Sequence, residues 1–224
     1  MSTPSSQFYN QNAAELAEQY QSKSFMQVHS DWAHLLPGLF KSPDKLTKHE
    51  LAVLDVGAGS GRDIGYLAAQ AKIHLSESHS SQYFVAVEPA AELRRLGQAN
   101  TQELSVNWLD DAMPKLTAIK ALDKQFDLIL LSAVWMHFEP QHRAEAMASL
   151  TSLLKPQGLL VMSLRHGQTE QELRSRAMHH VEASEVLALA NNNLLSTMLV
   201  TDLNQDQLGR SHVQWQTVVL QRGA

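Results

Sequence analysis

The chain has 224 residues, 44% of them hydrophobic, enough for one domain with a sizeable core and too few for two comfortable ones. It has no cysteine, which excludes disulfides, a thiolate nucleophile and a cysteine-held zinc. A net charge of −5 argues against a surface dedicated to phosphate backbones, so nucleic acid is not an expected partner.

Met1 to Gln7 lacks the basic start and apolar core of a secretory signal, and the apolar stretch Leu128 to Met136, interrupted by Ser132, is too short to span a bilayer. The expectation is a cytoplasmic protein without a membrane partner. Residues 8–36, carrying Tyr9, Tyr20, Phe25 and Trp32, read as helices packed over a sheet, and Lys41 to Lys45 as a linker. Residues 1–45 then form a helical lid and 46–224 the core of a single domain. From residue 51 onward short apolar runs alternate with longer amphipathic ones, which predicts an α/β fold around a doubly wound, mostly parallel sheet.

The predicted strands are Leu51 to Val56, Tyr83 to Glu88, Leu104 to Leu109, Phe126 to Ser132 and Leu159 to Leu164, with helices at 62–72, 90–100, 115–122 and 140–154 between them. His74 to Gln82, rich in serine, reads as a surface loop. The helix at 140–154 stops at Lys155-Pro-Gln-Gly158. After a helix at 183–192, Leu194 to Thr201 and His212 to Leu220 read as an antiparallel pair joined by residues 202–211. The basic pairs Arg94-Arg95 and Arg174 with Arg176 read as solvated helix faces.

The first strand runs into Gly57-Ala-Gly-Ser-Gly61, a turn where backbone meets ligand, and the helix start at Arg62 suits an anionic group. Dinucleotide sites want G-x-G-x-x-G, and Arg62 stands at the third glycine's place, which disfavours a nicotinamide cofactor. Asp55, two residues before the first glycine, suits a cationic amine. Strand two ends at Glu88-Pro89, an acceptor for ribose hydroxyls. Strand three ends at Asp110-Asp111; Asp110 is preferred as a ligand contact because Asp111 also suits a helix cap beyond Pro114. Strand four continues into Ala133-Val-Trp135-Met-His137, where an aromatic wall and a neutral imidazole base would serve, although such residues are also commonly packed and satisfied. Strand five ends at Arg165-His166, and the last hairpin brings Arg210 and His212 toward the same edge. Two arginines there favour a carboxylate or phosphate, unless Arg165 pairs with an acid of the Gln168 to Glu172 segment. No histidine spacing supports a metal site.

Asp55 with G-x-G-x-G, Glu88, Asp110-Asp111, the Phe126 to Ser132 strand and Leu153 to Gly158 resemble, in order and spacing, the class I S-adenosylmethionine-dependent methyltransferases. The resemblance covers about residues 51 to 165. It implies a seven-stranded sheet whose last strand is antiparallel, S-adenosylmethionine as cofactor, and cofactor contacts from Asp55, Gly57, Ala58, Gly59, Gly61, Asp63, Glu88, Pro89, Asp110, Asp111 and Ser132. It also implies methyl transfer; the acceptor is expected to be small, and the two arginines favour an anionic one. Tyr9 and Tyr20 resemble the start of a small-molecule enzyme's lid, and with Trp135, Arg165, His166 and Arg210 they are the expected acceptor pocket, His137 being the candidate catalytic residue. Ser132-Ala-Val-Trp135 departs from the N-P-P-Y pattern, which puts adenine or glutamine-amide methylation in doubt. A cofactor-binding module without turnover, and an RNA or protein acceptor, are the alternatives.

Overall fold

The computed structural model describes residues 4–40, 50–75 and 81–224. The predicted linker and the centre of the predicted 74–82 loop lie outside the described residues. Four short helices come first: α1 (Pro4–Gln11), α2 (Ala13–Gln21), α3 (Phe25–His29) and α4 (Leu36–Leu39). The start of α3 is a capping box, in which Ser24 accepts from the Gln27 N–H and the Gln27 side chain accepts from the Ser24 N–H.

The sheet comprises β1 (Leu51–Val56), β2 (Gln82–Val87), β3 (Val106–Leu109), β4 (Phe126–Ser132), β5 (Leu154–His166), β6 (Leu195–Val200), β7 (Asn204–Gln205) and β8 (Gln214–Arg222). Its order is β3-β2-β1-β4-β5-β8-β6, with the two-residue β7 paired on β8. Strands β1 to β5 pair in parallel, and β8 runs antiparallel to both β5 and β6. This is the expected sheet with a reversed last strand, extended by one short bridge at the hairpin tip. All six residues of β1 are buried, as befits a central parallel strand covered on both faces.

One face of the sheet, including Ala52, Leu54, Val56, Ile129 and Leu131, packs on α8 (Arg143–Leu153) and α10 (Ala183–Asn192) through Met147, Leu150, Val186 and Ala190. On the other face, Leu51, Val53, Leu128 and Leu130 meet Ile64 and Leu67 of α5 (Arg62–His74), together with Phe25, Trp32 and Leu36. The second half of the predicted lid segment therefore packs as core: Trp32 is fully buried, and Phe25 stacks on Tyr66 at 4.2 Å between ring centroids. Close approach also fixes the α6 (Ala91–Asn100) contact with β3. A Cβ on Gly97 would stand 2.1 Å from Trp108 Cη2, so the indole occupies space that only glycine leaves.

Three predicted elements differ, and one helix has no predicted counterpart. The helix at 115–122 is a single turn, α7 (Thr117–Lys120), because Leu116 (φ 48°) and Asp123 (φ 50°) leave the helical region on either side. The helix at 140–154 begins as a 3₁₀ turn over Pro140–His142 and ends at Leu153. Strand β5 starts at Leu154, which already pairs with Phe126; a register shift before Leu128 absorbs Lys155 to Gly158, with Gln157 at φ 64°. Finally, α9 (Glu170–Ser175) had no counterpart in the sequence reading, although Thr169-x-x-Glu172 forms a capping box that spells its start. No helix among the described residues is long and apolar enough to cross a membrane.

Candidate active site

Between β1 and β4 the strand order reverses, and ligands of open α/β sheets bind at the carboxyl ends of strands flanking such a point. A cavity of about 780 Å³ opens there, lined by the glycine turn, the ends of β2, β4 and β5, the lid and the β7–β8 hairpin. The turn is tied to its neighbour strand, since the N–H groups of Gly57 and Ala58 both donate to the Val87 carbonyl, at 2.8 and 2.9 Å. Gly57 has φ 73°, and a Cβ there would lie 2.5 Å from Val134 Cγ2. A Cβ on Gly59 (φ 56°) would meet only the Tyr20 ring, at 3.6 Å, so this glycine faces the cavity beneath the lid.

Asp55 is buried beneath the turn and lines the cavity, and no side chain donates to either carboxylate oxygen. Burial, aided by the nearby Asp63 and Glu88, raises its pKa well above the usual range against the opposing pull of Arg62 and the Ile64 N–H. Asp63 is the contrasting case. Burial disfavours its charge, but His29 Nε2 at 3.0 Å and Arg62 Nε at 2.6 Å hold it below the usual carboxylate range. His29 Nδ1 accepts from Trp32 Nε1 at 3.1 Å, so the ring proton sits on Nε2, facing Asp63. Glu88 Oε2 accepts from the Gly59 N–H at 2.9 Å and Oε1 from the Ala90 N–H at 2.8 Å; burial still pushes its pKa up to about 7.

On the opposite wall, Tyr9 from α1 places its hydroxyl 3.0 Å from His137 Nε2, and Ser5 Oγ lies 3.3 Å from Nδ1. His137 follows β4 in a 3₁₀ turn over Trp135–His137. Burial pulls its pKa down to about 4, despite hydrogen bonds to the backbone of Ala177 and Arg176, so the ring is neutral near pH 7. Burial likewise raises the pKa of Tyr9 and of Tyr20, keeping both phenols protonated. Ala133, also on the cavity wall, has φ 60°, a strained conformation for a residue with a Cβ.

Tyr9, Tyr20, Asp55, Gly57, Ala58, Gly59, Asp63, Glu88, Pro89, Asp111, Ser132, His137, Arg165 and Arg210 all line this one cavity. Four expected residues do not, and two more have a different charge state of their surroundings. Trp135 is fully buried in the core, edge-on to Phe138 at 5.4 Å, because the 3₁₀ turn rotates it inward while presenting His137. His166 lies beyond the cavity wall, paired in register with Gln214. Gly61 (φ 82°) precedes the first residue of α5 and packs against Trp108 and the Gly97 carbonyl. Asp110 points to solvent, 71% exposed, and pairs with Arg94 at 3.2 Å; Asp111 instead lines the cavity and accepts from the N–H of Ile119 in α7 at 3.0 Å. Arg165 and Arg210 line the cavity, yet each is neutralised by a carboxylate, Glu172 and Asp206 respectively. For Arg165 that is the pairing with the Gln168 to Glu172 segment.

No sequence pattern marks His29 as the latch on Asp63, Arg62 as a wall residue, or Arg176 as other than a solvated helix face. Arg174 is such a residue, 75% exposed and paired with Glu170, but Arg176 turns into the cavity. Among the described residues no group of three or more His, Asp or Glu is placed to hold a metal.

A family profile described as a methyltransferase domain matches residues 53–158. A comparison with curated proteins finds no match. Among solved structures, an S-adenosylmethionine-dependent methyltransferase from Clostridium acetobutylicum ATCC 824 superimposes with a TM-score of 0.65 at 11% identity, over 96% of this chain and 99% of that one. Magnesium protoporphyrin IX methyltransferase from Synechocystis PCC 6803, with bound S-adenosylhomocysteine, gives a TM-score of 0.61 at 12% identity, covering 96% and 84%. The N-methyltransferase NodS from Bradyrhizobium japonicum WM9, in complex with the same product, gives 0.59 at 13%, covering 88% of each chain. These likenesses carry the fold, and the matched domain carries the chemistry and its cofactor. With its methyltransferase domain at residues 53–158 and this sheet, the chain has the class I S-adenosylmethionine-dependent methyltransferase fold.

Proposed function

We propose that this protein methylates a small molecule bound between the glycine turn and the Tyr9–His137 pair. The observation that carries the reading is Asp55: a buried carboxyl that no side chain satisfies is costly by itself. An ammonium group beside it removes that cost, and the cofactor's methionine half ends in one. Asp55 would bind that amine, the backbone at Gly57 and Gly59 would admit the chain of atoms behind it, and Glu88 would accept from the ribose hydroxyls. Asp111, rather than Asp110, is the carboxylate available to the adenine end.

When bound, S-adenosylmethionine supplies a methyl carbon on a positively charged sulfur, open to displacement by a nucleophile. The chain's own part is alignment and desolvation. Holding the two reactants in line contributes roughly 7–11 kcal/mol where the geometry is good. A neutral His137, with its Nε2 beside the Tyr9 hydroxyl, supports uptake of the acceptor's proton at that nitrogen, an effect of about 10²–10⁴-fold. The cavity volume of about 780 Å³ falls high in the roughly 300–1,000 Å³ span of small-ligand sites, which supports a second molecule beside the cofactor over a module without turnover. With Arg165 and Arg210 each neutralised, nothing here supports the continuous basic face that an RNA acceptor requires.

Calorimetric titration with S-adenosylhomocysteine tests this reading. The wild type should bind it, whereas Asp55→Ala and Gly59→Val should weaken binding by about a hundredfold or more with an unchanged far-ultraviolet spectrum. Undiminished binding in both variants would refute the assignment.

A further inference from the structure

Arg165 and Arg210 were the residues from which an anionic acceptor was expected, and both are neutralised within the protein. Arg176 differs from them. It lines the same cavity and forms no ion pair among the described residues; its guanidinium lies 5.1 Å from the Phe8 ring centroid and hydrogen-bonds the Tyr9 side chain. Its charge acts on Tyr9, Tyr20 and His137, lowering the pKa of each, which locates it on the lid side of the cavity where these three residues meet.

The chain is built to hold Arg176 there. Helix α9 is fixed at its start by the Thr169–Glu172 capping box, and Glu172 is also the partner of the buried Arg165. At its end, Arg176 is followed by Ala177 at φ 47°, a conformation that an alanine adopts only at a cost. The reversal is closed by the Met178 N–H donating to the Leu173 carbonyl at 2.9 Å, and the His179 N–H then donates to the Met136 carbonyl at 2.7 Å. The same loop backbone hydrogen-bonds His137. One strained turn therefore sets both the cation and the imidazole.

We propose that Arg176 anchors an acceptor carrying a single carboxylate and so directs its nucleophile to the Tyr9–His137 pair. The guanidinium is a planar fork matched to a carboxylate, and of the arginines lining the cavity (Arg62, Arg165, Arg176 and Arg210) it alone has no carboxylate partner among the described residues. A dianionic phosphate would want a second free cation, which Arg165 and Arg210 do not provide. Met136, Phe138 and Met178 line the cavity and suit an apolar body behind the carboxylate. The inference rests on the reading of the cofactor site given above.

Its test uses the full-length protein saturated with S-adenosylhomocysteine, titrated with benzoate and with benzamide, its neutral isostere. Benzoate should bind at least about tenfold more tightly than benzamide. Arg176→Gln should erase that preference while leaving the affinity for S-adenosylhomocysteine within about twofold, and Arg176→Lys, which keeps the charge but loses the fork, should retain part of it. Equal binding of the two probes, no measurable benzoate binding, or an unchanged preference in Arg176→Gln would overturn the proposal. So would a large loss of S-adenosylhomocysteine affinity in both variants, which would make Arg176 a cofactor residue. If wild-type protein failed to bind S-adenosylhomocysteine, the cofactor reading would fall and this inference with it; binding without a benzoate preference overturns this inference alone.

Discussion

Glu88 and Asp55 sit on neighbouring strands, both buried, yet only Glu88 has donors of its own. Its carboxyl titrates at about 7, raised by burial, so near neutrality it is half protonated. Hydroxyl donors from a ribose favour the ionised form. The sign follows: S-adenosylhomocysteine should bind more tightly as pH rises from 6 to 7.5, by about five- to tenfold, and calorimetry on Glu88→Gln should lose most of that slope. For folding the sign is opposite, because a carboxyl raised in the folded state favours the fold below its unfolded pKa and loses that contribution as pH rises through 7. These two acids were legible in the sequence because each ends a strand beside a glycine turn or a proline. The choice between Asp110 and Asp111 was not. Successive residues at a strand's end point to opposite sides, and only the placed backbone decides which side is the cavity.

At the scale of elements, α9 links a buried post to a cavity wall. The Arg165 side chain is 2% exposed and that of Glu172 is 19% exposed. Burial opposes the charge on Glu172, but hydrogen bonds from Arg165 and from the Thr169 N–H hold its pKa down to about 2. Glu172→Gln leaves a guanidinium buried without its counter-charge, and removing one partner of such a pair costs about 3–5 kcal/mol, the lower end applying here because Glu172 meets solvent. The midpoint of thermal unfolding at pH 7 should therefore fall by about 6–12 °C. A depressed carboxyl contributes above its unfolded pKa of 4.5 and loses that contribution as pH falls through 2, so the difference between wild type and variant should shrink toward pH 3. A shift below a degree at pH 7 would contradict this role. The helix was readable from Thr169 and Glu172; its task was not, since Arg165 joins from another element.

Across the whole molecule the N-terminal helices divide into two groups with different contacts. Helix α3 and Trp32 belong to the core under the sheet, and His29 fastens them to Asp63 at the start of α5. Helices α1 and α2 rest on α6 through a small apolar cluster of Ala13, Ala17, Ala90 and Leu93, and are otherwise held by single polar contacts: Tyr9 on His137, Asn10 on the Glu92 N–H, and Gln21 on Ser60. The expected outcome of this division is that cofactor entry moves α1 and α2 and leaves α3 in place. Hydrogen exchange followed by mass spectrometry should show α1 and α2 gaining protection of about tenfold or more on S-adenosylhomocysteine binding, with α3 protected throughout. Equal protection of all three helices in the free protein would contradict this division.

The sequence by itself determined the strands, the glycine turn, the two acids flanking it and the reversed final strand, because runs of apolar residues, glycine spacing and strand-end acids are encoded within a few neighbouring positions. Tertiary structure alone decided which cations are free. Arg165, Arg176 and Arg210 look alike in one dimension, and packing gives a carboxylate to two of them and leaves the third facing the cavity. Likewise Tyr9 and His137 are 128 positions apart and form a pair only because α1 packs over the strand ends. Charge compensation and cavity shape are sums over distant contacts, so no local pattern carries them.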